Sequence, residues 1–164
     1  MSKIDKHKQL RPSLIDRLFD DSPHESIDQD RGRYQQLKDL RNSVRRDLED
    51  LLNTRYRVVA PDSSYEQLQS SLVNFGLPDL ATVNIIDFEK KKVFTRELEN
   101  ILRKFEPRFK TVRVEFVENN DDVDRTLRFR VNATLYADPE PVVFDSILEP
   151  ISRTLSVEES QHGR

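Results

Sequence analysis

The sequence has 164 residues, a length that fits one compact domain with tails and is short for two. Charged residues make up 35 % of the chain, compared with about 25 % in an average globular protein. The 27 Lys and Arg residues nearly balance the 30 Asp and Glu residues, so the chain lacks the basic excess with which a general nucleic-acid binder releases counterions from phosphates.

The sequence also lacks the features of several other protein classes. It has no cysteine, which excludes disulfides and thiolate zinc sites. The segment Met1–Lys6 carries no apolar stretch of a secretory signal, and no run of about 18 apolar residues predicts a membrane span. The histidines share no metal-ligand spacing: His7, His24 and His162. We therefore expect a cytoplasmic protein that binds no metal, cofactor, nucleic acid or small-molecule substrate and does not insert into a membrane.

The N-terminal part of the chain is predicted to contain one long helix. Residues 1–10 are polar and are expected to form a flexible tail. A short helical turn is then indicated by Leu14, Ile15, Leu18 and Phe19. From Tyr34 onward, apolar residues recur at steps of three and four, which predicts an amphipathic helix that ends before Pro61. Its buried stripe comprises Leu37, Leu40, Val44, Leu48, Leu51 and Leu52.

A compact loop and a second helix are predicted next. Gly76 allows a turn within residues 71–86. The apolar anchors of this loop are Leu72, Phe75, Leu77 and Leu80. Asp87 is a suitable N-cap for the following helix, because its side-chain oxygen can accept hydrogen bonds from the first free N–H groups. That helix ends before Pro107, and its buried stripe comprises Phe94, Leu98, Ile101, Leu102 and Phe105.

The apolar period then changes from near four to two, which is typical of strands with one buried face. The first predicted strand carries Val112, Val114 and Phe116, and a polar turn follows at 119–122. The second strand carries Leu127, Phe129, Val131, Ala133 and Leu135. Residues 142–144 indicate a third strand or a strand that leads into a short helix. The last eight or so residues are expected to fray. The predicted fold class is α+β, with N-terminal helices followed by a small, mainly antiparallel β-sheet.

Acidic residues are numerous enough to raise the question of catalysis or metal binding. Glu97, Glu99 and Glu106 lie close in sequence, and paired carboxylates can act as acid and base in hydrolysis. With 30 acidic residues such pairs arise by chance, and nothing in the sequence places one of them in the apolar pocket that a general acid needs. Residues 119–124 offer oxygen ligands but lack the glycine and late glutamate of a calcium loop, so a hairpin turn explains them better.

The segment Glu106-Pro107-Arg108 allows two interpretations. Proline disfavours helical geometry at the residue before it, so the segment can simply end the helix. Alternatively, Phe105 anchors a turn in the core while Glu106 and Arg108 project from a stiff backbone as a docking element. In that case Arg108 is suited to bidentate pairing with a partner carboxylate. Spacing by itself favours the helix end.

Six segments in order resemble the lysozyme-like wedge family of contractile-tail baseplates, in particular its type VI secretion branch. They are Arg11–Leu18, Ser43–Arg55, Ser71–Leu80, Phe105–Arg108, Leu127–Val131 and Val143–Asp145. Phe75 stands where relatives often carry tyrosine, which leaves the packing role of its loop intact. The resemblance runs from about Arg11 to about Val157. We accordingly expect a single wedge domain over residues 11–157 and a flexible tail over residues 158–164.

The resemblance implies a structural part of a contractile injection machine and not an enzyme. Members of the family join the other baseplate wedge subunits, present a strand-bearing surface to the contractile sheath, and sit at the cytoplasmic side of the inner membrane complex. Their signature motif corresponds to Glu106, Pro107 and Arg108, which become the predicted partner interface. One alternative is a peptidoglycan-cleaving, lysozyme-like hydrolase, against which the missing export signal counts. Another is a free-standing adaptor domain.

Overall fold

The chain is described here by a computed structural model. It describes residues 32–55, 64–77, 88–117, 126–138, 140–148 and 154–160, together with Leu10, Ser13, Ile15, Asp16, Leu18, Pro23, His24 and Asp62. Within this part of the chain, three helices precede four strands. The helices are α1 (Arg33–Asn53), α2 (Glu66–Gln69) and α3 (Phe88–Phe105), with a 3-10 turn at Leu72–Asn74. The strands are β1 (Phe109–Val117), β2 (Leu127–Leu135), β3 (Pro141–Leu148) and β4 (Leu155–Glu159). The predicted α+β class is confirmed.

The helix α1 is the amphipathic helix that the spacing predicts. Residues three and four apart share one helix face, so the apolar stripe turns towards a single side and is buried there. Leu37 is half-buried, and the other stripe positions are at most 2 % exposed. The helix ends at Asn53, where the N–H and the hydroxyl of Thr54 both donate to the Asp50 carbonyl, at 3.0 and 2.7 Å.

The loop between α1 and α3 is anchored by fewer residues than the sequence predicts. Leu77 is fully buried and Phe75 packs against the core. Leu72 is 86 % exposed, so its prediction as an anchor is wrong. It lies on the outer side of the 3-10 turn, where the short helical geometry turns it towards solvent. The predicted anchor Leu80 and the predicted N-cap Asp87 lie outside the described residues.

A single glycine lets this loop close against the end of α1. Gly76 has a φ of 114°, and a Cβ at this position would lie 2.5 Å from the Thr54 carbonyl oxygen. Both the backbone conformation and the close approach therefore require glycine. Directly after it, the Leu77 N–H donates to the same Thr54 oxygen at 2.8 Å. This contact holds Leu77 in the core and Phe75 beside it.

The strands form one antiparallel sheet in the order β1-β2-β3-β4. Val114 of β1 faces Val131 of β2, which faces Phe144 of β3. Because successive side chains on a strand point to opposite faces, the apolar positions share one face and residues such as Arg113 and Glu115 share the other. α3 packs against β1 and α1 packs against β4, so the core lies between the helices and this face. The polar turn predicted at 119–122 lies outside the described residues.

The structure corrects the prediction for the C-terminal part. Of the two alternatives for residues 142–144, the third strand is confirmed, since β3 continues to Leu148. It is followed by β4, which was not predicted and whose last residues we expected to fray. Leu155 and Val157 are each 2 % exposed, and the Ser160 N–H donates to the Val143 carbonyl at 2.8 Å. The ordered chain thus extends past residue 157. A short alternation of apolar and polar residues is a weak sequence signal. Here the strand is stabilised by burial of its apolar residues against α1.

Two apolar residues of the N-terminal segment are exposed, while a third is buried. Leu10, which we had assigned to the flexible tail, is 8 % exposed and belongs to the core. Ile15 and Leu18 form a turn in which the Leu18 N–H donates to the Ile15 carbonyl at 2.9 Å. Their side chains are 67 % and 84 % exposed. The remaining apolar residues of the predicted helical turn, Leu14 and Phe19, lie outside the described residues.

Candidate functional site: a docking groove

The Glu106-Pro107-Arg108 motif forms a tight turn between α3 and β1. The Phe109 N–H donates to the Glu106 carbonyl at 3.2 Å, which closes a four-residue turn with Pro107 at its second position. The fixed φ of proline suits that position. The Tyr136 N–H donates to the Arg108 carbonyl at 3.1 Å and ties the turn to the end of β2. The motif therefore ends the helix and also starts the sheet.

Glu106 and Arg108 pair with each other inside the protein. Glu106 is 4 % exposed, and its carboxylate accepts hydrogen bonds from Nε of Arg108 at 2.6 Å and from Nη2. It also accepts one from the Arg108 backbone N–H at 3.1 Å. The expectation that both charges project outward is thus wrong for Glu106, because an ionised carboxylate buried at the core edge needs a paired cation. Pro107 is the exposed residue of the motif.

Arg108 extends this pair into a network that reaches α1. Its Nη2 also donates to the Asp47 carboxylate, and its Nη1 donates to Oγ of Ser43 at 3.0 Å. The Ser43 hydroxyl in turn donates to Asp16, whose carboxylate also accepts from Nη2 of Arg46. The network joins three pieces of chain that are distant in sequence: the N-terminal segment, α1 and the turn after α3.

Negative charge dominates the network around Asp47. Burial would lower the pKa of Arg108, but hydrogen bonding to Glu106 and the charges of Glu106 and Asp47 outweigh it and raise that pKa. Burial raises the pKa of Asp47, and the charges of Glu106 and Asp16 reinforce this increase. The pairing of Asp47 with Arg108 acts in the opposite direction without cancelling the increase. Pairing with Arg108 therefore offsets only part of the pKa increase that burial produces at Asp47.

A groove with a volume of about 770 Å³ opens beside the motif, and we call it the docking groove. Its apolar lining consists of Ile15, Leu48, Leu51, Phe75, Phe105 and Pro107. Its polar lining consists of Ser13, Asp47, Asp50, Glu106 and Arg108. The rings of Phe75 and Phe105 meet edge to face, with centroids 5.3 Å apart and planes at 78°. The docking groove is thus apolar, with charges grouped around the motif.

The other carboxylates that the sequence raised as acid–base candidates lie in different surroundings. Glu97 is exposed on α3. Glu99 pairs with Arg103 at 3.3 Å and accepts a hydrogen bond from the Val114 N–H. Glu106 lies in the buried pair, so the three residues occupy three separate environments. In the described ranges, no group of three or more His, Asp or Glu side chains could hold a metal ion, and no helix is long and apolar enough to cross a membrane.

One edge of the sheet, the outer edge of β1, is only partly covered by the residues that the structure describes. Glu99 accepts from the Val114 N–H at 3.0 Å, and Arg103 donates to the Val112 carbonyl at 3.3 Å. Antiparallel pairing turns the backbone groups of every second residue away from the neighbouring strand, so those of Phe116 also face outward. Among the described residues, these Phe116 groups have no backbone hydrogen-bond partner. We call this part of the edge, at Phe116, the open end of β1.

The opposite edge, β4, is held by side chains of α1. The Asn53 side chain accepts from the Leu155 N–H and donates to the Leu155 carbonyl, both at 2.8 Å. Nη1 of Arg45 donates to the Val157 carbonyl at 3.1 Å. These outward groups of β4 are therefore already occupied within the chain.

Comparison with protein families assigns the chain to one of them. The family model described as Baseplate wedge protein gp25 matches residues 38–140, which is more than half of the sequence. The chain belongs to this family. The matched range contains most of α1, the Glu106-Pro107-Arg108 motif, β1 and β2, and it includes every residue that lines the docking groove except Ser13 and Ile15. No curated protein matches the sequence.

Membership in the gp25 family gives the protein a structural role in a baseplate, and the predicted resemblance is confirmed at this level. The sequence indicated the motif but not the network in which it takes part. Asp47 lies 61 residues from Arg108 and was not identified as a site residue. Ser43 and Asp16 were likewise not identified as site residues. Ser43 and Asp47 each precede a residue of the apolar stripe of α1, and this position at the stripe's edge was the signal that could have indicated them. No such signal marks Asp16.

Proposed function

We propose that the protein is the TssE-type wedge subunit of a type VI secretion baseplate, where it joins the other wedge subunits and templates assembly of the contractile sheath. In this proposal its role is structural and not enzymatic, and it acts at the cytoplasmic side of the inner membrane complex. Family membership supports the baseplate role. The type VI context rests on the resemblance of the six sequence segments.

The motif in its rigid setting is the observation that carries the wedge-docking part of the proposal. Glu106 and Arg108 are fixed by at least two hydrogen bonds to each other and by the network to α1, so the exposed Pro107 and the adjoining groove form a pre-organised surface. A pre-organised surface loses little conformational entropy on binding. Glu106, Pro107 and Arg108 thus remain our proposed partner interface, with Glu106 and Arg108 shaping it from within.

The open end of β1 supports the sheath-templating part. An extended segment can add to a sheet edge through main-chain hydrogen bonds where that edge is not already paired. The edge at β4 is occupied by Asn53 and Arg45, whereas the edge at Phe116 has backbone groups that face outward. We therefore place the proposed starting register for the sheath at β1.

Co-elution of the protein with the other wedge subunits tests the docking proposal. The test variant carries Glu106→Ala and Arg108→Ala together, because removing Arg108 alone would leave the buried Glu106 carboxylate without its cation. Asp47 also loses its pairing with Arg108 in this variant, but its side chain is 39 % exposed and keeps contact with solvent. The control variant carries Arg130→Ala and Asp145→Ala, which removes an ion pair of 2.7 Å on the open face of the sheet. We expect size-exclusion chromatography to show that the wild type and the control co-elute with the wedge subunits and that the folded test variant elutes alone.

Circular dichroism of each variant separates a docking defect from a folding defect. Equal co-elution of all three proteins would show that the motif only ends a helix and that the docking surface lies elsewhere. Failure of the wild type to bind any wedge subunit would contradict the proposed function itself.

A further inference from the structure

The charges that the docking groove presents to a partner differ from those that the motif alone indicates. Arg108 donates from Nε, Nη1 and Nη2 to Glu106, Ser43 and Asp47, so its guanidinium is engaged within the chain. It is therefore poorly placed to receive a partner carboxylate. A cation supplied by the partner would instead find acidic side chains.

Two of these acidic side chains can be reached from outside. The Asp47 side chain is 39 % exposed, and Asp50 is exposed one helical turn further along α1. Together with Glu106, the groove lining holds three carboxylates against the single guanidinium of Arg108. Burial and the neighbouring carboxylates raise the pKa of Asp47, and a cation placed beside it by a partner would act in the opposite direction, as Arg108 does.

The apolar lining lies directly beside these carboxylates. Leu51 follows Asp50 on α1, and the edge-to-face pair of Phe75 and Phe105 also lines the groove. A volume of about 770 Å³ is large enough for several side chains of a peptide segment. The groove thus fits a ligand with an apolar part and a positive charge near one another.

We infer that the docking groove seats a segment of a wedge partner in which an apolar side chain is flanked by arginine or lysine. The apolar side chain packs against the half-buried rings of Phe75 and Phe105, and the cation pairs with Asp47 and Asp50. This inference rests on the proposed function for the identity of the partner as a wedge subunit. It adds the chemistry of the partner segment. The groove calls for a basic segment, whereas the sequence led us to expect a partner carboxylate that pairs with Arg108.

Charge substitutions on the groove test this inference. Asp50→Arg reverses a charge at an exposed helix position and is not expected to disturb the fold. Asp47→Asn removes a charge whose ionised form burial disfavours and keeps a similar shape. Glu97→Arg reverses an exposed charge on α3, outside the groove lining, and serves as the matched control.

The measurement is the dissociation constant of each variant for the purified wedge subunits at low and at moderate ionic strength. We expect Asp50→Arg to weaken binding by about tenfold or more, because a like charge opposes the partner's cation. We expect Asp47→Asn to weaken binding several-fold and Glu97→Arg to leave the dissociation constant within about twofold of the wild-type value. The loss of affinity in Asp50→Arg should be larger at low salt, where charges are screened less. Replacing one arginine or lysine of the partner by glutamate restores binding to Asp50→Arg.

Three outcomes would overturn the inference. The first is unchanged affinity of Asp50→Arg and Asp47→Asn while the Glu106→Ala, Arg108→Ala protein fails to bind, which would retain the docking function but exclude a cationic segment. The second is an equal loss in Glu97→Arg, which would show a general charge effect. The third is tighter binding of Asp50→Arg, which would identify an acidic segment. Binding retained by every variant, including the motif variant, would likewise exclude the groove, because the docking surface would then lie elsewhere. Failure of the wild type to bind any wedge subunit would refute the proposed function instead.

Discussion

At the scale of single residues, the contacts of Arg108 both stabilise the fold and shape the proposed docking groove. A guanidinium that bonds Glu106, Asp47 and Ser43 cannot be removed alone without leaving buried acceptors unpaired. Breaking one side of a buried ion pair costs about 3–5 kcal/mol, much more than an exposed pair contributes. The two interpretations of the motif, a helix end and a docking element, are therefore compatible, since the same contacts end α3 and shape the groove.

Asp16 carries a testable pH dependence. Burial would raise its pKa, but hydrogen bonds with Ser43 and Ser13 and the charge of Arg46 outweigh burial, so the pKa lies below its ordinary value of 3.8. A group whose pKa falls on folding stabilises the fold above its unfolded pKa, and this contribution is lost as the pH falls through its folded pKa. We expect Asp16→Asn to lower the free energy of unfolding by about 1–2 kcal/mol at pH 7.

Urea denaturation of the wild type and of Asp16→Asn, measured from pH 7 down to about pH 2.5, checks this prediction. The difference between the two proteins should begin to shrink below the ordinary Asp pKa, because Asp16 in the unfolded chain then binds a proton while the folded carboxylate is still ionised. It should be lost once the pH falls below the folded pKa of Asp16. A difference that stays constant over this range would show that the side chain acts through packing and not through its charge.

At the scale of secondary structure elements, one side chain of α1 holds the last strand. Asn53 bonds both backbone groups of Leu155, and its amide also donates to the Glu49 carbonyl at 2.9 Å. This reciprocal pair replaces the hydrogen bonds that a neighbouring strand would supply. It both fixes β4 on α1 and covers an edge that could otherwise pair with another chain.

Asn53→Ala is expected to lower the free energy of unfolding by about 1–3 kcal/mol, because the N–H and carbonyl of the buried Leu155 lose their partner. Asn100→Ala is the matched control, since Asn100 is exposed on α3 and accepts a longer bond of 3.4 Å from Arg103. Urea denaturation gives the energies, and hydrogen exchange at the Leu155 amide reports the local loss. Equal stability of the two variants would show that β4 is held by apolar packing alone.

At the scale of the whole molecule, the two sheet edges differ in how readily a further strand could pair with them. α1 covers β4 through Asn53 and Arg45, whereas α3 covers β1 up to Val114 and leaves Phe116 without a backbone partner among the described residues. A sheath segment that extends the sheet would therefore add at β1.

Hydrogen exchange in a reconstituted baseplate measures this difference. In the free protein we expect the Phe116 amide to exchange quickly and the Val114 amide, which bonds Glu99, to exchange slowly. Addition of sheath subunits should slow exchange at Phe116 by at least about tenfold and leave residues 155–159 unchanged. Protection that appears at residues 155–159 instead would place the sheath contact at β4.

Much of the fold could be predicted because it depends on local periodicity. The stripe from Leu37 to Leu52 predicts α1, and alternation from Leu127 to Leu135 predicts β2, since each pattern reflects a single buried face. The exposure of Leu72 and the formation of β4 could not be predicted from periodicity. They depend on which surfaces are covered by α1 and the rest of the core, and that is set by contacts between distant segments.

The sequence by itself determined the fold class, the main helices and strands, the position of the turn at Pro107 and the resemblance to the baseplate wedge family. The tertiary structure alone decided that Glu106 is buried, that Arg108 is engaged by Asp47 and Ser43, and that the groove beside them presents carboxylates. The reason is physical: periodicity records burial along one segment, whereas the partner of a charge depends on residues that folding brings together from 61 positions away.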